Sequence, residues 1–453
     1  MVAAYWHRIR GLRREVWIVL TALMVRGFTW IGLTDTLLSL YLVRMGYGPA
    51  FVGVSAAVHN LGYALAAMPG SALTRRLGPR LGMVIGTLGW AIGLGLFSLA
   101  DLLPMGWQPA WIIITRLLAA AGLALDAVSA QPYMADMTTP EERPYAFALA
   151  LSLSPLGGFL GSLAAGLLPA LLVGLGVRAF GPSLADARPY GATLIIGMLV
   201  YVPLLALLLT LPKPGSVDGV GVESAPGAGD AEVTHRWSRR AGAPMALFVA
   251  VAFICALRVG GEFTARTFFS VYLDATWAVP TLQIGGAVAL ASLLTIPAPL
   301  VTPALVARWG RAWTIAVGAL GVAGAILLLG LVGHWRLAAG AFVVMTVLAA
   351  MVRSVWSLLV QESVSSSWRP TASGVTNLAS GLGVAAMSSA GGFLAAELGY
   401  SAMFAAGAVL VGLGALVVVW AFGVVPRPAT EPAALKVDLP RPSSSFDVQH
   451  DEP

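Results

Sequence analysis

VWIVLTALMVRGFTWIGLTDTLLSLYLV, residues 16–43, carries only two ionisable side chains of high charge density, Arg26 and Asp35, in an otherwise apolar run. At 1.5 Å per residue, a helix over such a run crosses roughly 30 Å of hydrocarbon. A basic arm precedes it, with Arg8, Arg10, Arg13 and Arg14. It lacks a small-residue cleavage site and is longer than the apolar core of a signal peptide, so it reads as a retained first span.

Working outward, eleven more runs of this kind follow. The spacing predicts spans near 16–43, 50–72, 81–101, 110–135, 145–174 and 190–211, then 244–273, 282–306, 313–333, 337–361, 371–396 and 401–423. The organisation expected is a basic N-terminus over 1–15, a six-helix bundle over 16–211 and a polar linker over 212–243. A second bundle over 244–423 and a disordered tail over 424–453 complete it. The fold class is an all-α membrane protein of twelve transmembrane helices in two pseudo-symmetric six-helix bundles.

Composition agrees. Hydrophobic residues make up 58% of the chain and charged residues only 11%, far below the roughly 25% of soluble domains, and mean hydropathy is +0.83. The net charge of +6 does not point to nucleic acid, because the basic residues sit between apolar runs instead of forming a stripe with aromatics. A single cysteine, Cys255, excludes an intramolecular disulfide and any zinc spacing. Neither a metal nor a cofactor is expected.

The placement of the cations sets an orientation. With the N-terminus inside, 18 of the 27 Lys and Arg fall on cytoplasmic segments, four (Arg44, Arg178, Arg188, Arg336) on external ones and five within the spans. By the positive-inside rule both termini face the cytoplasm of a cell (inner) membrane.

The halves repeat each other. Ala72-Leu73-Thr74-Arg75-Arg76-Leu77-Gly78 recurs 232 positions later as Ala304-Leu305-Val306-Ala307-Arg308-Trp309-Gly310, and the same offset sets Arg26 on Arg258. At a slipped offset of 226, Asp136…Arg143-Pro144 matches Glu362…Arg369-Pro370, and Gly157-Gly158-Phe159-Leu160 recurs as Gly391-Gly392-Phe393-Leu394. Two parallel halves meet along a seam, and in transporters of this plan the site lies there near the midplane.

These residues resemble the Major Facilitator Superfamily, over nearly the whole chain apart from linker and tail. The family's gating motif after the second helix, G-x-L-x-D-R-x-G-R, is similar to Ser71, Leu73, Arg75, Arg76, Gly78 and Arg80, with a second copy around Arg308, Gly310 and Arg311. Arg75 stands where the family has an aspartate that helps latch the two halves, so the resemblance leaves that contact in doubt. Arg116-Leu117-Leu118-Ala119-Ala120-Ala121-Gly122 and Ser154-Pro155-Leu156-Gly157-Gly158 resemble motifs of the family's drug and metabolite exporters.

Eight charges lie deep in the spans: Arg26, Asp35, Arg116, Asp126, Arg258, Glu262, Arg266 and Arg353. Each costs about 2.5–3.5 kcal/mol to insert at the bilayer centre, so such groups face a bundle interior or water and find partners. They fall on the first, fourth, seventh and tenth runs, which line the central cavity in the resembled family. Arg258, Glu262 and Arg266 step by four on one helical face, so Glu262 is expected to bridge both arginines, with Arg353 a third partner. Depth counting pairs Asp35 with Arg116 and Arg26 with Asp126. Nine residues turn a straight α-helix by about 180° beyond two full turns, so Arg26 and Asp35 face the fourth helix together only if Gly27 and Gly32 allow a bend.

Asp35, Arg116 and Glu262 are the proton-coupling candidates. Arg26, Asp126, Arg258, Arg266 and Arg353 are the candidates for the substrate cavity. Arg44, Asp101, Asp274 and Glu397, at span ends, read as snorkelling or loop residues, and His59 as a hydrogen-bonded packing residue. The function expected is secondary active transport of a small molecule by alternating access, with proton-coupled efflux of a drug-like compound or metabolite as the first reading. Proton-coupled uptake or exchange of an organic anion is the alternative, because arginines outnumber carboxylates in the C-terminal half. No phosphate-binding G-x-x-x-x-G-K-[ST] loop or H-E-x-x-H motif is present, which argues against ATP hydrolysis and an intramembrane enzyme. The partners expected are substrate, protons and the bilayer, with the monomer as the functional unit.

Overall fold

A computed structural model of the chain describes residues 11–139, 141–176, 181–212, 243–364 and 368–422. The linker apart from its ends, the tail and residues 1–10 therefore lie outside the described residues. Twelve spans run in order: α1 Arg14–Arg44, α2 Pro49–Leu77, α3 Pro79–Leu102, α4 Gln108–Asp136, α5 Arg143–Gly174 and α6 Arg188–Leu209. They are followed by α7 Ala243–Trp277, α8 as Thr281–Leu294 with Ala298–Trp309, α9 Arg311–Leu331, α10 Trp335–Glu362, α11 Arg369–Glu397 and α12 Gly399–Phe422. An even number of spans puts the starts of α1 and α7 at one end, called here the terminal end, and the α1–α2 and α7–α8 turns at the other, the distal end.

Proline and glycine set many of the boundaries. Pro occupies the first turn of α2 through α6, where its missing N–H has no helical partner to lose. Gly78 and Gly310 close α2 and α8 with φ of +84° and +80°, a conformation that glycine alone adopts without penalty. Their equivalence at the 232-residue offset shows the repeat in backbone geometry as well as in sequence.

Two spans depart from the uninterrupted helices expected. In α6 the helix stops at Leu199 and resumes at Tyr201, because the Pro203 ring clashes with the carbonyl four residues back. In α8, Pro297 lies between the two pieces and Pro299 in the first turn of the second, and the pieces meet at 50°.

α1 departs further. Between Arg14–Gly27 and Asp35–Arg44 the chain is π-helical over Phe28–Thr34. A π-helix, at about 4.4 residues per turn, rotates each residue by only about 80°, so Asp35 ends roughly 50° from Arg26 instead of opposite it. This widened segment, and not a bend at Gly27 and Gly32, brings the two side chains toward one side. The two glycines serve the crossing with α5: Gly27 packs on the Ser154 carbonyl and Gly32 on the Gly161 backbone, with no room for a Cβ at either.

Across the seam α2 meets α11 and α5 meets α8, again on small residues. Gly53 lies on the Ser388 carbonyl, Gly392 on the Pro49 carbonyl, Gly381 on Ala64 and Gly285 on Gly166. Gly157 packs on α1, and Gly158 reaches both Ile31 of α1 and Ser292 of α8. These approaches run from mid-span to the distal end.

Candidate functional site

Where the halves meet at mid-depth, a cavity is lined by Trp30 and Asp35 of α1, His59 and Asn60 of α2, Arg116 of α4, and Phe263, Arg266 and Thr267 of α7. Asp35 and Arg266 also line a smaller adjoining space with Ser292, Phe342 and Thr346. Because of the π-helical segment, Asp35 faces this seam.

Asp35 and Arg116 share the cavity as depth counting predicts, but they do not bond. The Asp35 carboxylate has neither a hydrogen bond nor an ion pair among the described residues, and the charges acting on it are those of Arg266 and Arg116. Arg116 is 7% exposed and is fixed by its Nε, which donates to the Ser55 carbonyl at 3.4 Å. Its terminal nitrogens have no protein partner among the described residues.

Arg26 and Asp126 do pair, at 3.0 Å, and the Thr87 hydroxyl donates to the other carboxylate oxygen at 3.4 Å. This ion pair ties α1 to α4 and is separate from the residues around Asp35. Glu262 accepts from Arg266 Nε at 3.1 Å and from Arg353 Nη2 at 3.2 Å, both on the same oxygen. Arg258 is not the second partner expected for it. That guanidinium lies 5.9 Å from the Trp356 ring, and its buried Nε has no hydrogen-bond partner among the described residues. The α-helical step of four brings Arg258 to the right face, but Trp356 of α10 offers an apolar platform for its long side chain.

His59 donates from Nδ1 to the Arg116 carbonyl, 3.3 Å away, and its ring packs edge-on against Trp30 at 5.3 Å. Trp30 is in turn stacked on Trp90 at 5.6 Å. In the motif region, Ser71 bonds back to the Ala67 carbonyl, Leu73, Arg75 and Arg76 are exposed or nearly so, and Arg80 donates to the Leu209 carbonyl. Arg308 is exposed, while Arg311 pairs with Glu362 of α10.

Sequence reading missed one contact. Arg44 and Asp274, taken for span-end residues, meet across the seam as a bidentate ion pair. The signal was their opposite charge at the distal ends of α1 and α7, two spans at equivalent places in the repeat. Asp101 is also engaged, by the Tyr41 hydroxyl at 3.0 Å.

Two six-helix halves around a charged cavity at their seam are the architecture of a transporter built from repeated halves. Residues 18–388 and 251–447 match the family model for the Major Facilitator Superfamily, and the chain belongs to that family. No curated protein sequence matches it. Among solved structures, it is similar to the xylose transporter XylE from E. coli, captured in an inward open conformation. Identity there is 15%, TM-score 0.68, with 92% of this chain and 97% of that one covered. A bacterial homolog to the human lysosomal transporter Spinster shares 16% identity over 89% and 95% of the two chains, TM-score 0.68. The nucleoside transporter NupG, as a D323A mutant, shares 16% over 90% and 99%, TM-score 0.63. Those likenesses concern the fold.

Proposed function

We propose that this protein is a proton-coupled transporter of a small molecule, working by alternating access, in which Asp35 carries the proton. The observation behind this is that Asp35 is the one deep carboxylate with no bonded partner among the described residues, whereas Asp126 and Glu262 are held in ion pairs. A carboxylate between guanidinium groups at a water-reachable seam gains or loses a proton as those groups are engaged elsewhere. The cation distribution supports cytoplasmic termini in a cell (inner) membrane, so the terminal end is the inner side and the distal contacts close the outer one.

Export of a drug-like compound or metabolite draws support from the resemblance of the α4 and α5 motifs to exporter motifs. Transport of an organic anion draws on the arginine surplus, and in particular on the terminal nitrogens of Arg116 and Arg266, which have no protein partner among the described residues. A thermal-shift screen of drugs, sugars and organic anions at two pH values identifies the ligand. In proteoliposomes, Asp35→Asn should then abolish uptake driven by a pH gradient while preserving substrate counterflow. Intact pH-driven transport in that variant removes Asp35 from the mechanism.

A further inference from the structure

We propose that the cavity receives a small planar aromatic carboxylate, gripped between Arg116 of one half and Arg266 of the other, and that a proton on Asp35 travels with it. This rests on the proton-carrying role of Asp35 given above and adds the substrate class and the direction of coupling.

The two arginines have hydrogen-bonding capacity to offer. Arg116 uses Nε on the Ser55 carbonyl and Arg266 uses Nε on Glu262, which leaves the terminal nitrogens of both without protein partners among the described residues. Glu262 is itself shared with Arg353, so it only partly offsets Arg266. A planar guanidinium suits a carboxylate in two-point contact. The ring contacts are also in place, since Trp30 and Phe263 line the same space from opposite halves, and Trp30 is backed by its stack on Trp90. A flat, apolar body with an anionic head matches that combination of groups.

The stoichiometry follows from charge. Asp35 is the cavity's own anion. When it is ionised, a second carboxylate must enter beside a like charge; when it is protonated, the incoming anion replaces it as the counter-charge of the two arginines. Anion and proton therefore bind together, and the loaded site carries the same charge as the empty one. The anion also bridges the halves, because Arg116 and Arg266 lie on opposite sides of the seam. It can hold both only when the halves are closed around it, which is the differential affinity that a ligand needs to shift a conformational equilibrium. The predicted coupling is symport.

The test uses the full-length protein in detergent with three probes that share one ring and differ in charge: benzoate, benzamide and benzylamine. Calorimetry in buffers of different ionisation enthalpy should show benzoate binding with uptake of about one proton, and affinity falling about tenfold per pH unit where the linked group titrates. The other two should bind at least about tenfold more weakly. Asp35→Asn should retain benzoate binding and make it independent of pH, while Arg116→Gln and Arg266→Gln should each weaken benzoate about tenfold or more. Circular dichroism and gel filtration identify any variant that fails to fold, and benzoate binding in Asp35→Asn then carries the test. Absence of benzoate binding, or equal binding of benzamide or benzylamine, overturns the substrate class even if Asp35→Asn abolishes pH-driven transport. Benzoate binding without proton uptake overturns the coupled step, and with it the role of Asp35, while leaving the anion site.

Discussion

Arg44 and Asp274 close the distal end of the seam through two parallel hydrogen bonds, Nη1 to Oδ2 at 2.7 Å and Nη2 to Oδ1 at 2.6 Å. Arg44 also donates from Nε to the Leu184 carbonyl at 3.1 Å and lies 5.7 Å from the centre of the Tyr190 ring. Two neighbouring contacts cross the same seam, from the Ser39 hydroxyl to the Thr267 carbonyl at 3.0 Å and between the Tyr190 and Thr281 hydroxyls at 3.2 Å.

A planar fork on a carboxylate is the strong form of ion pair, and both side chains here are largely covered, at 21% and 16% exposure. Arg44→Ala should destabilise the distally closed state by about 1–3 kcal/mol relative to the distally open one, a population shift of roughly 5–150-fold. Spin-label distances across the distal end report it directly. The charge-swapped pair, Arg44→Asp with Asp274→Arg, should restore the closed distances. Unchanged distances in Arg44→Ala would mean that the small-residue contacts alone hold the seam.

Arg26→Ala strands Asp126 in the N-terminal bundle with the Thr87 hydroxyl as its one remaining hydrogen-bond partner among the described residues. Removing one member of a buried ion pair costs about 3–5 kcal/mol, whereas replacing both with apolar residues of similar size is often close to neutral. The thermal midpoint in detergent should therefore drop for Arg26→Ala and largely recover for the double variant Arg26→Leu with Asp126→Leu. A double variant no more stable than the single one would indicate that the pair has a role other than joining α1 to α4.

Gly32→Ala should separate α1 from α5, since the added methyl meets the Gly161 backbone, which cannot move aside as a flexible side chain would. A loss of about 1–3 kcal/mol is expected, read as lower thermal stability and poorer yield of folded protein. Gly286→Ala, at a position where a Cβ meets nothing within 4 Å, should be silent. Equal effects of the two would discount the crossing as the cause.

Glu262→Gln removes the negative charge shared by Arg266 and Arg353 and leaves Arg258, Arg266 and Arg353 without a carboxylate between them. Their repulsion is screened by salt. The melting midpoint of this variant should fall in dilute buffer and climb toward the parent's as ionic strength rises, with the parent far less sensitive. A salt-independent loss would assign Glu262 to packing.

Much of the architecture was legible because a bilayer imposes simple rules on a chain. Length and apolarity predicted the spans, and the recurrence of Gly78 at Gly310 exposed the duplication. Deep charges such as Asp35, Arg116 and Glu262 stood out because they are costly in hydrocarbon. Legibility ended where partners had to be chosen. Sequence spacing assumed an ideal α-helix, so Arg258 was assigned to Glu262, although Trp356 from another span was available to it. It also had Arg44 and Asp274 as separate span ends, since nothing local to either residue tells how far apart α1 and α7 stand.

By itself the sequence determined that the chain crosses the membrane many times, that it is built from two related sets of helices, and which charges lie at depth. Period, hydrophobic length and composition act within one segment and survive without knowledge of any other. Only the tertiary structure decided that Asp35 stands unpaired among the described residues beside two arginines, that Arg258 turns to Trp356 in place of Glu262, and that Arg44 grips Asp274 across the seam. Those outcomes depend on a π-helical widening of α1 and on ångström-scale approaches between helices hundreds of residues apart, set jointly by packing around glycines such as Gly32 and Gly161.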